Sequence, residues 1–454
     1  MKSIVCGAGV VGRSIAESLS NEGLDVTVID ESRELIQKIS ESLDVKTIVG
    51  AASQPSILES AGAKDCDILI AVTKSDETNM IACQIAYSLF KIPSKIARVR
   101  QPDYLKLEWT NLYNKENLPI DSIISPELEV AKAIFRRLQA PGAIDMLELA
   151  DNNLKLVGLK CEKKCPILNT PIKKISSINK DFLLNILFII REENKFVVDS
   201  ETILLENDIV YFVVKNENFN EAMQSFGHDE TQSQKIVIVG GGNIGYPLCK
   251  IIEEEDKAMS TSLIEYNKER SEYLASNLKK LTVFNGDALE TNILEEVDIS
   301  NSDNLIAITN DDEVNILASL LAKKAGCKSC MTLVNKSSYS SLLSNIGIDI
   351  IIDPRLITIS TILEKVRSGK IRRIYTLGDG FGEVIEAEII DNSDFANKKL
   401  SDLNLPKNIR IGAILRKNNI IIPNMDTIFE INDDVVFFSE TSCIKKLEKL
   451  LSVD

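Results

Sequence analysis

The chain repeats itself. Residues 3–12 read Ser-Ile-Val-Cys-Gly-Ala-Gly-Val-Val-Gly, and residues 236–245 read Ile-Val-Ile-Val-Gly-Gly-Gly-Asn-Ile-Gly. In the same order, Thr-Val-Ile-Asp-Glu (27–31) answers Ser-Leu-Ile-Glu-Tyr (262–266), and Ile-Val-Gly-Ala-Ala (48–52) answers Val-Phe-Asn-Gly-Asp-Ala (283–288). Ala-Val-Thr-Lys-Ser-Asp-Glu-Thr-Asn (71–79) answers Ala-Ile-Thr-Asn-Asp-Asp-Glu-Val-Asn (307–315), and Ile-Asp-Ser-Ile-Ile-Ser-Pro (120–126) answers Ile-Asp-Ile-Ile-Ile-Asp-Pro (348–354). One offset of roughly 230 residues fits every pair, so whatever one half builds the other builds again. At 454 residues the chain exceeds one ordinary core, which leaves two to four domains to be placed.

Within each half, short apolar segments alternate with amphipathic ones. Ser3–Cys6, Asp25–Ile29, Val45–Val49, Ile68–Val72 and Lys95–Val99 read as strands, and Val11, Ile15 and Leu19 share one face of the first intervening helix. Such alternation implies a parallel sheet with helices on both faces, and its ligand crevice lies at the carboxyl end of the first strand. After Pro126 and Pro354 one more helix follows, over Glu127–Gln139 and Leu356–Ser368. Then come short β-branched strands, clearest at Leu154–Leu159, Asn185–Ile190, Lys195–Val198 and Ile209–Val214. Ile209 follows the turn Glu-Asn-Asp as Val435 follows Asn-Asp-Asp. The expected fold class is α/β: two Rossmann-like, doubly wound parallel-sheet domains, each followed by a small β-rich α+β domain. The divisions fall at 1–126, 127–226, 235–354 and 355–454, and the polar stretch Gly227–Gln234 is the linker. His228, the only histidine, falls in that linker.

The first half opens with Gly7-Ala8-Gly9-Val10-Val11-Gly12 between a strand and a helix, with Asp30 ending the next strand. A lone Gly-x-Gly-x-x-Gly is a weak signal; this context strengthens it. Gly7 permits the tight turn, Gly9 lets backbone approach a pyrophosphate, and Gly12 lets the helix pack on the sheet. The helix N-terminus offers unpaired amides to phosphate. Asp30 can accept both ribose hydroxyls and repels a 2′-phosphate, which favours NAD(H) or an adenosine nucleotide such as ATP or ADP over NADP(H). The second half repeats the set as Gly240, Gly241, Gly242, Asn243, Ile244, Gly245 and Glu265. Arg98 and Arg100 end the fifth strand, where an arginine can clamp phosphate; the second half has Leu333 and Asn335 there. The alternative for these turns is a degenerate nucleotide fold, and for Arg98 a surface ion pair.

Composition narrows the function further. A formal net charge of −15 disfavours nucleic acid and anionic lipid as partners, and suits a basic protein surface. No apolar run is long enough to span a bilayer, and Met1 leads straight into the first strand, so a cytosolic chain without lipid insertion is expected. The nine cysteines are scattered and read as reduced side chains. Cys327-x-x-Cys330 and Cys161-x-x-x-Cys165 resemble metal or redox pairs by spacing alone; a structural zinc site wants four Cys or His ligands, and no metal is expected. Hydride transfer calls for a proton-moving group beside the nicotinamide, and the one histidine is assigned to the linker. Binding without catalysis is the expected behaviour.

At these residues the chain resembles the TrkA family of Trk potassium-uptake regulatory proteins, whose domains are called RCK domains. Both glycine turns carry the likeness, as do Ala71-Val72-Thr73 with Asn79, Arg98-Val-Arg-x-Pro-x-Tyr104 and Ile120-Asp-Ser-Ile-Ile-Ser-Pro-Glu127. The resemblance covers the whole chain. It implies a peripheral homo-oligomeric ring on the cytoplasmic face of a potassium-translocating integral membrane subunit, gated by nucleotide. It implies a first site of Gly7 to Val11, Asp30, Ala51, Thr73, Lys74 and Arg98, and a second of Gly240 to Ile244, Glu265, Asp287, Thr309 and Asn310. Asp287 is acidic where Ala51 is not. The alternatives are the regulatory subunit of another potassium channel or efflux antiporter, an NAD-dependent oxidoreductase, and a nucleotide-binding scaffold without a transport role.

Overall fold

Short runs of Val and Ile, bounded by turns, pair side by side into the two sheets that carry the repeat. The computed structural model describes residues 1–21, 23–140, 142–175, 184–192, 194–228, 235–255, 259–336, 339, 346–366, 371–377, 381–417 and 419–451. The first sheet holds β1 (Lys2–Cys6), β2 (Asp25–Asp30), β3 (Lys46–Val49), β4 (Ile68–Ala71), β5 (Ser94–Arg98) and β6 (Ser122–Ile124). All pairs are parallel and the spatial order is β3-β2-β1-β4-β5-β6. The second copy repeats the order with Thr282–Asn285, Ser260–Glu265, Lys235–Val239, Asn304–Ala307, Ser329–Leu333 and Ile350–Ile352. The order reverses beside the first strand, which is where a doubly wound sheet opens its ligand crevice. Strands and helices lie within a residue or two of their expected bounds.

Past the glycine turn, α1 (Val10–Asn21) buries Gly12, Ile15, Ala16 and Leu19. Its apolar face meets the second copy: Ile362, Leu363 and Val366, from the helix Pro354–Val366, share one core with Ile15, Leu19 and Ile124. The two parallel-sheet domains therefore form one compact unit, Met1–Ile134 with Gln234–Val366. The copies pair through buried faces.

The other unit is Phe135–Ser233 with Arg367–Asp454, and it holds two five-stranded antiparallel sheets. In the first copy the order is Asn194–Val197, Leu184–Arg191, Ile209–Lys215, Leu154–Lys160, Ala143–Leu149; in the second, Asn419–Ile421, Ile409–Arg416, Asp434–Glu440, Gly382–Glu388, Ile371–Leu377. The two share an apolar core in which Phe188 stacks on Tyr211 and Phe438 with centroids 4.4 and 4.5 Å apart. Asn185 Nδ2 donates to the Ile411 and Gly412 carbonyls at 2.9 and 2.8 Å, and Arg410 Nε donates to Ile186 O at 3.1 Å.

Each copy locks its last hairpin with the same ion pair. Arg191 meets the fully buried Asp208 with two bonds of 2.7 and 2.8 Å, and also holds the Ile203 carbonyl. Arg416 does the same with Asp433 and the Ile428 carbonyl. Asn207 and Asn432 both take positive φ, near 70°, just before these aspartates. The structure thus matches Asp208 to Asp433, so Val435 corresponds to Val210 and the turn comparison shifts by one residue. Removing one partner of a buried pair costs about 3 to 5 kcal/mol. Asp208→Ala is expected to lower stability by about 3 kcal/mol in denaturant titration, since the amide of Leu205 also loses its acceptor.

His228 is placed differently from its expected linker position. It is buried, its Nε2 lies 3.2 Å from Lys160 O, and its amide donates to Met223 O. Gly227, at a φ of 84°, makes the reversal and packs against Lys164 and Cys165. Residues 229–234 lie outside the described residues. Eight cysteines are buried and Cys443 is half-exposed. Burial pushes the thiols of Cys83 and Cys249 up to about 12. Iodoacetamide on the folded chain is expected to label Cys443 first and the rest only on unfolding, as peptide mass spectrometry would show. Among the described residues no three His, Cys, Asp or Glu side chains are grouped to hold a metal ion, and no helix is long and apolar enough to cross a membrane.

Candidate nucleotide crevices

The glycine turn is dictated by hard contacts. Gly7 has a φ of 115°, a region L-side chains rarely enter, and a Cβ there would stand 2.9 Å from Val72 O. A Cβ on Gly12 would lie 1.9 Å from the Gly7 carbonyl oxygen, and one on Gly245 1.9 Å from that of Gly240. Gly9 and Gly242 are different: a Cβ on either would meet nothing within 4 Å. Those two positions look onto open space above the turn, where a pyrophosphate needs the backbone bare.

The acidic residues sit where the sequence places them, at the last positions of their strands. Asp30 Oδ2 accepts from Ala8 N at 2.7 Å and its Oδ1 from Ser32 N at 2.8 Å. Glu265 repeats this with Gly241 N at 2.8 Å and Asn267 N at 2.9 Å. Each carboxylate oxygen keeps lone pairs for further donors, such as ribose hydroxyls. One carboxylate thus ties the glycine turn to the second strand in each copy.

The third and fourth strands close the crevice. Ala51 and Asp287 follow glycines whose amides bond back to Asp30 O and Glu265 O at 2.9 and 3.1 Å. The Asp287 carboxylate accepts from Leu289 N at 2.9 Å, which braces its own turn. Thr73 Oγ1 bonds Asn79 Oδ1 at 2.7 Å, and the fully buried Asn79 donates to Arg98 O at 2.9 Å. Thr309, Asn315 and Leu333 O repeat the geometry at 2.7 and 3.0 Å. Asp76 and Asp312, also buried, receive the amides of Arg100 with Gln101 and of Asn335 with Lys336. Lys74 and Asn310 are exposed at the rim.

Arg98 is half-buried at the end of β5, and its Nε is buried without a partner. Desolvation and then the nearby Arg100 lower its pKa from the usual guanidinium value, against the opposing pull of the Glu127 and Asp76 carboxylates. Arg100 approaches Glu127 at 3.6 Å. The second copy has no counterpart to this charge at Leu333, which is fully apolar and buried. Sequence reading missed Asp76, Asp312 and Asn315 and named Asn79 only as part of the family likeness, although all four positions are retained in the repeat itself.

Comparison with known proteins agrees with this architecture. The TrkA-N domain model matches residues 3–126 and again 236–354, and the TrkA-C domain model matches 384–452. The Trk system potassium uptake protein TrkA of Azorhizobium caulinodans is 40% identical over 453 residues, covering 100% of this chain and 99% of its own. The chain belongs to the TrkA family. The TrkA of Haemophilus influenzae is 36% identical over 454 residues, covering 99% of this chain and 98% of its own. The solved GsuK RCK domain shares the fold, with a TM-score of 0.60 at 18% identity over 100% of this chain and 95% of that one. The GsuK channel bound to NAD gives a TM-score of 0.61 at 16% identity, covering 100% and 79%. The TrkA-C model matches only the second copy, yet residues 143–215 of the first share the strand order of residues 371–440. In the TrkA pattern the sheet-end residues of both copies are therefore one design used twice.

Proposed function

We propose that this chain is the nucleotide-binding regulatory subunit of a Trk-type potassium-uptake system, and that it gates a potassium-translocating integral membrane subunit. Family membership supplies the potassium-uptake role. The duplicated crevice supports the nucleotide: a glycine turn braced by an acidic strand end, with bare backbone at Gly9 and Gly242 and, in the first copy, Arg98 with its buried Nε unpartnered. These groups fit the adenosine 5′-diphosphate part that NAD(H), ADP and ATP have in common. The first site consists of Gly7 to Gly12, Asp30, Ala51, Thr73, Lys74 and Arg98; the second consists of Gly240 to Gly245, Glu265, Asp287, Thr309 and Asn310.

The groups in these two sets are amides, carboxylates and a hydroxyl, with the Lys74 ammonium and the Arg98 guanidinium added in the first copy and the Asn310 side chain in the second. They hold and orient a nucleotide, and we read the chain as a binding protein and not an enzyme. A ligand shifts such a regulator only through a difference in affinity between two conformations. The membrane-facing assembly is a peripheral ring of copies of this chain on the cytoplasmic side of its partner, divided into domains at 126, 226 and 354. Arg98 in the first copy, where the second has Leu333, makes the two crevices unlike, so they differ in affinity or in preferred nucleotide and together can read a ratio such as ATP to ADP or NADH to NAD⁺.

Potassium flux through the co-reconstituted membrane subunit, measured with NADH, NAD⁺, ATP or ADP, tests the reading. Flux should change with at least one nucleotide, and Asp30→Ala should blunt that change while the chain stays folded. Identical nucleotide profiles for Asp30→Ala and Glu265→Ala would count against two unlike sites.

A further inference from the structure

The two copies keep the glycine turn and the acidic strand end but distribute cations differently. Where the first has Lys74, Arg98 and Arg100, the second has Asn310, Leu333 and Asn335. The second instead carries a cation on the opposite side of its glycine turn. Arg270, in the first turn of the helix Lys268–Asn277, donates from Nε to Gly241 O at 2.9 Å. Its guanidinium lies over the rings of Tyr246 and Tyr273, 5.6 and 5.0 Å from their centroids. Those two rings stand 6.1 Å apart, tilted at 55° to one another.

None of this exists in the first copy. Capping bonds align the helices, because Leu35 N meets Ser32 as Arg270 N meets Asn267. Arg270 therefore replaces Leu35, a core residue; Tyr273 replaces Lys38, which pairs with Glu34; Tyr246 replaces Arg13, which reaches Ser42. The residue between the first two glycines changes in step. A Cβ on Gly241 would stand 2.2 Å from Leu274 Cδ1, whereas the first copy holds Ala8 in that place. Among the described residues the guanidinium bonds only through Nε, so its four other N–H groups are left for an anion. Two aromatic faces and one carbonyl hold it rigid, which lowers the entropic cost of using it.

We propose that Arg270 is the phosphate-holding residue of the second crevice, taking the adenosine 5′-diphosphate moiety that NAD(H), ADP and ATP have in common. With Leu333 at the far wall, that crevice does not discriminate a third phosphate, while the first crevice, with Arg98 there, does. The inference rests on the nucleotide reading of both crevices given above.

The test uses the full chain carrying Asp30→Ala to silence the first crevice, titrated calorimetrically with ADP and with ATP. ADP and ATP should bind within about threefold of each other, and Arg270→Ala should weaken both about tenfold, as expected for one charge-assisted hydrogen bond. The salt dependence of binding should become shallower in Arg270→Ala, because one cation fewer meets phosphate; a residue that merely braced the turn would leave that slope alone. Arg270→Lys should recover part of the loss. Adding Leu333→Arg should make ATP bind about tenfold tighter than ADP. Unchanged ADP affinity in Arg270→Ala, with Glu265→Ala abolishing binding, would overturn the role of Arg270 alone. An Asp30→Ala chain that binds neither nucleotide would remove the second crevice as a site, and this inference with it.

Discussion

Replacing Asp30 by alanine is expected to weaken adenine-nucleotide binding at the first crevice by at least tenfold, with little change in thermal stability. Two losses combine in this variant. The ribose hydroxyls lose their carboxylate acceptor, and a hydrogen bond to a charged group is worth about 1.5–3 kcal/mol. The amide of Ala8, now held by Asp30 at 2.7 Å, is released, so the glycine turn is less well ordered for phosphate. Asp30 is half-exposed and its two amide donors can turn to water, which is why the fold should survive. Isothermal titration with NADH and with ADP measures the loss, and a melting curve separates it from unfolding. Asp30→Asn should recover part of the turn but little of the nucleotide affinity, since the amide offers one acceptor oxygen where the carboxylate offered two.

Gly12→Ala is expected to be worse for the protein than any substitution at the crevice surface. Its added carbon would stand 1.9 Å from the Gly7 carbonyl oxygen, a backbone atom fixed by the bond from Gly7 N to Ile29 O at 2.7 Å. Neither atom can yield without moving α1 off the sheet, and α1 carries Ile15 and Leu19 into the core that both copies share. Overpacking alone costs about 1–3 kcal/mol; losing helix-to-sheet packing as well should bring the cost to at least that upper value. Gly9→Ala is the matched control. Its carbon would meet nothing within 4 Å, so the fold should stay intact while nucleotide binding falls, because the methyl group occupies the path of the phosphate. Denaturant titration of the two variants should separate them by about 2 kcal/mol or more. Gly245→Ala should repeat the Gly12 result in the second copy.

Much of this could be read from the residues because repetition and hard contacts leave little freedom. A glycine turn between a β-branched run and an amphipathic helix has few ways to fold, so Gly7 to Gly12 and Asp30 were assignable, and the repeat carried the assignment to Gly240 and Glu265. The pairing of the copies was not legible. Ile362, Leu363 and Val366 show an apolar face, but apolar faces do not name their partner, and only the structure places them against α1. The strand Ala143–Leu149 is not among the clear strands of the sequence, where Asp145 and Glu148 interrupt its apolar run. His228 was assigned to an exposed linker on the strength of its polar neighbours; the positive φ of Gly227 turns it back into a buried place instead. Arg270 gave no signal in the repeat, since a single leucine-to-arginine change between copies has meaning only once Tyr246, Tyr273 and Gly241 are seen around it. The same holds for Asp208 and Asp433, whose shared role shows only in the paired arginines.

The central claim is that each chain holds two adenine nucleotides, one at the end of each first strand. Equilibrium titration of the purified full chain with ADP tests this most directly. The account predicts saturation near two equivalents per chain, near one for Asp30→Ala, and no saturable binding for Asp30→Ala combined with Glu265→Ala. Saturable binding that persists in the double variant, or none in the unaltered chain, would contradict it.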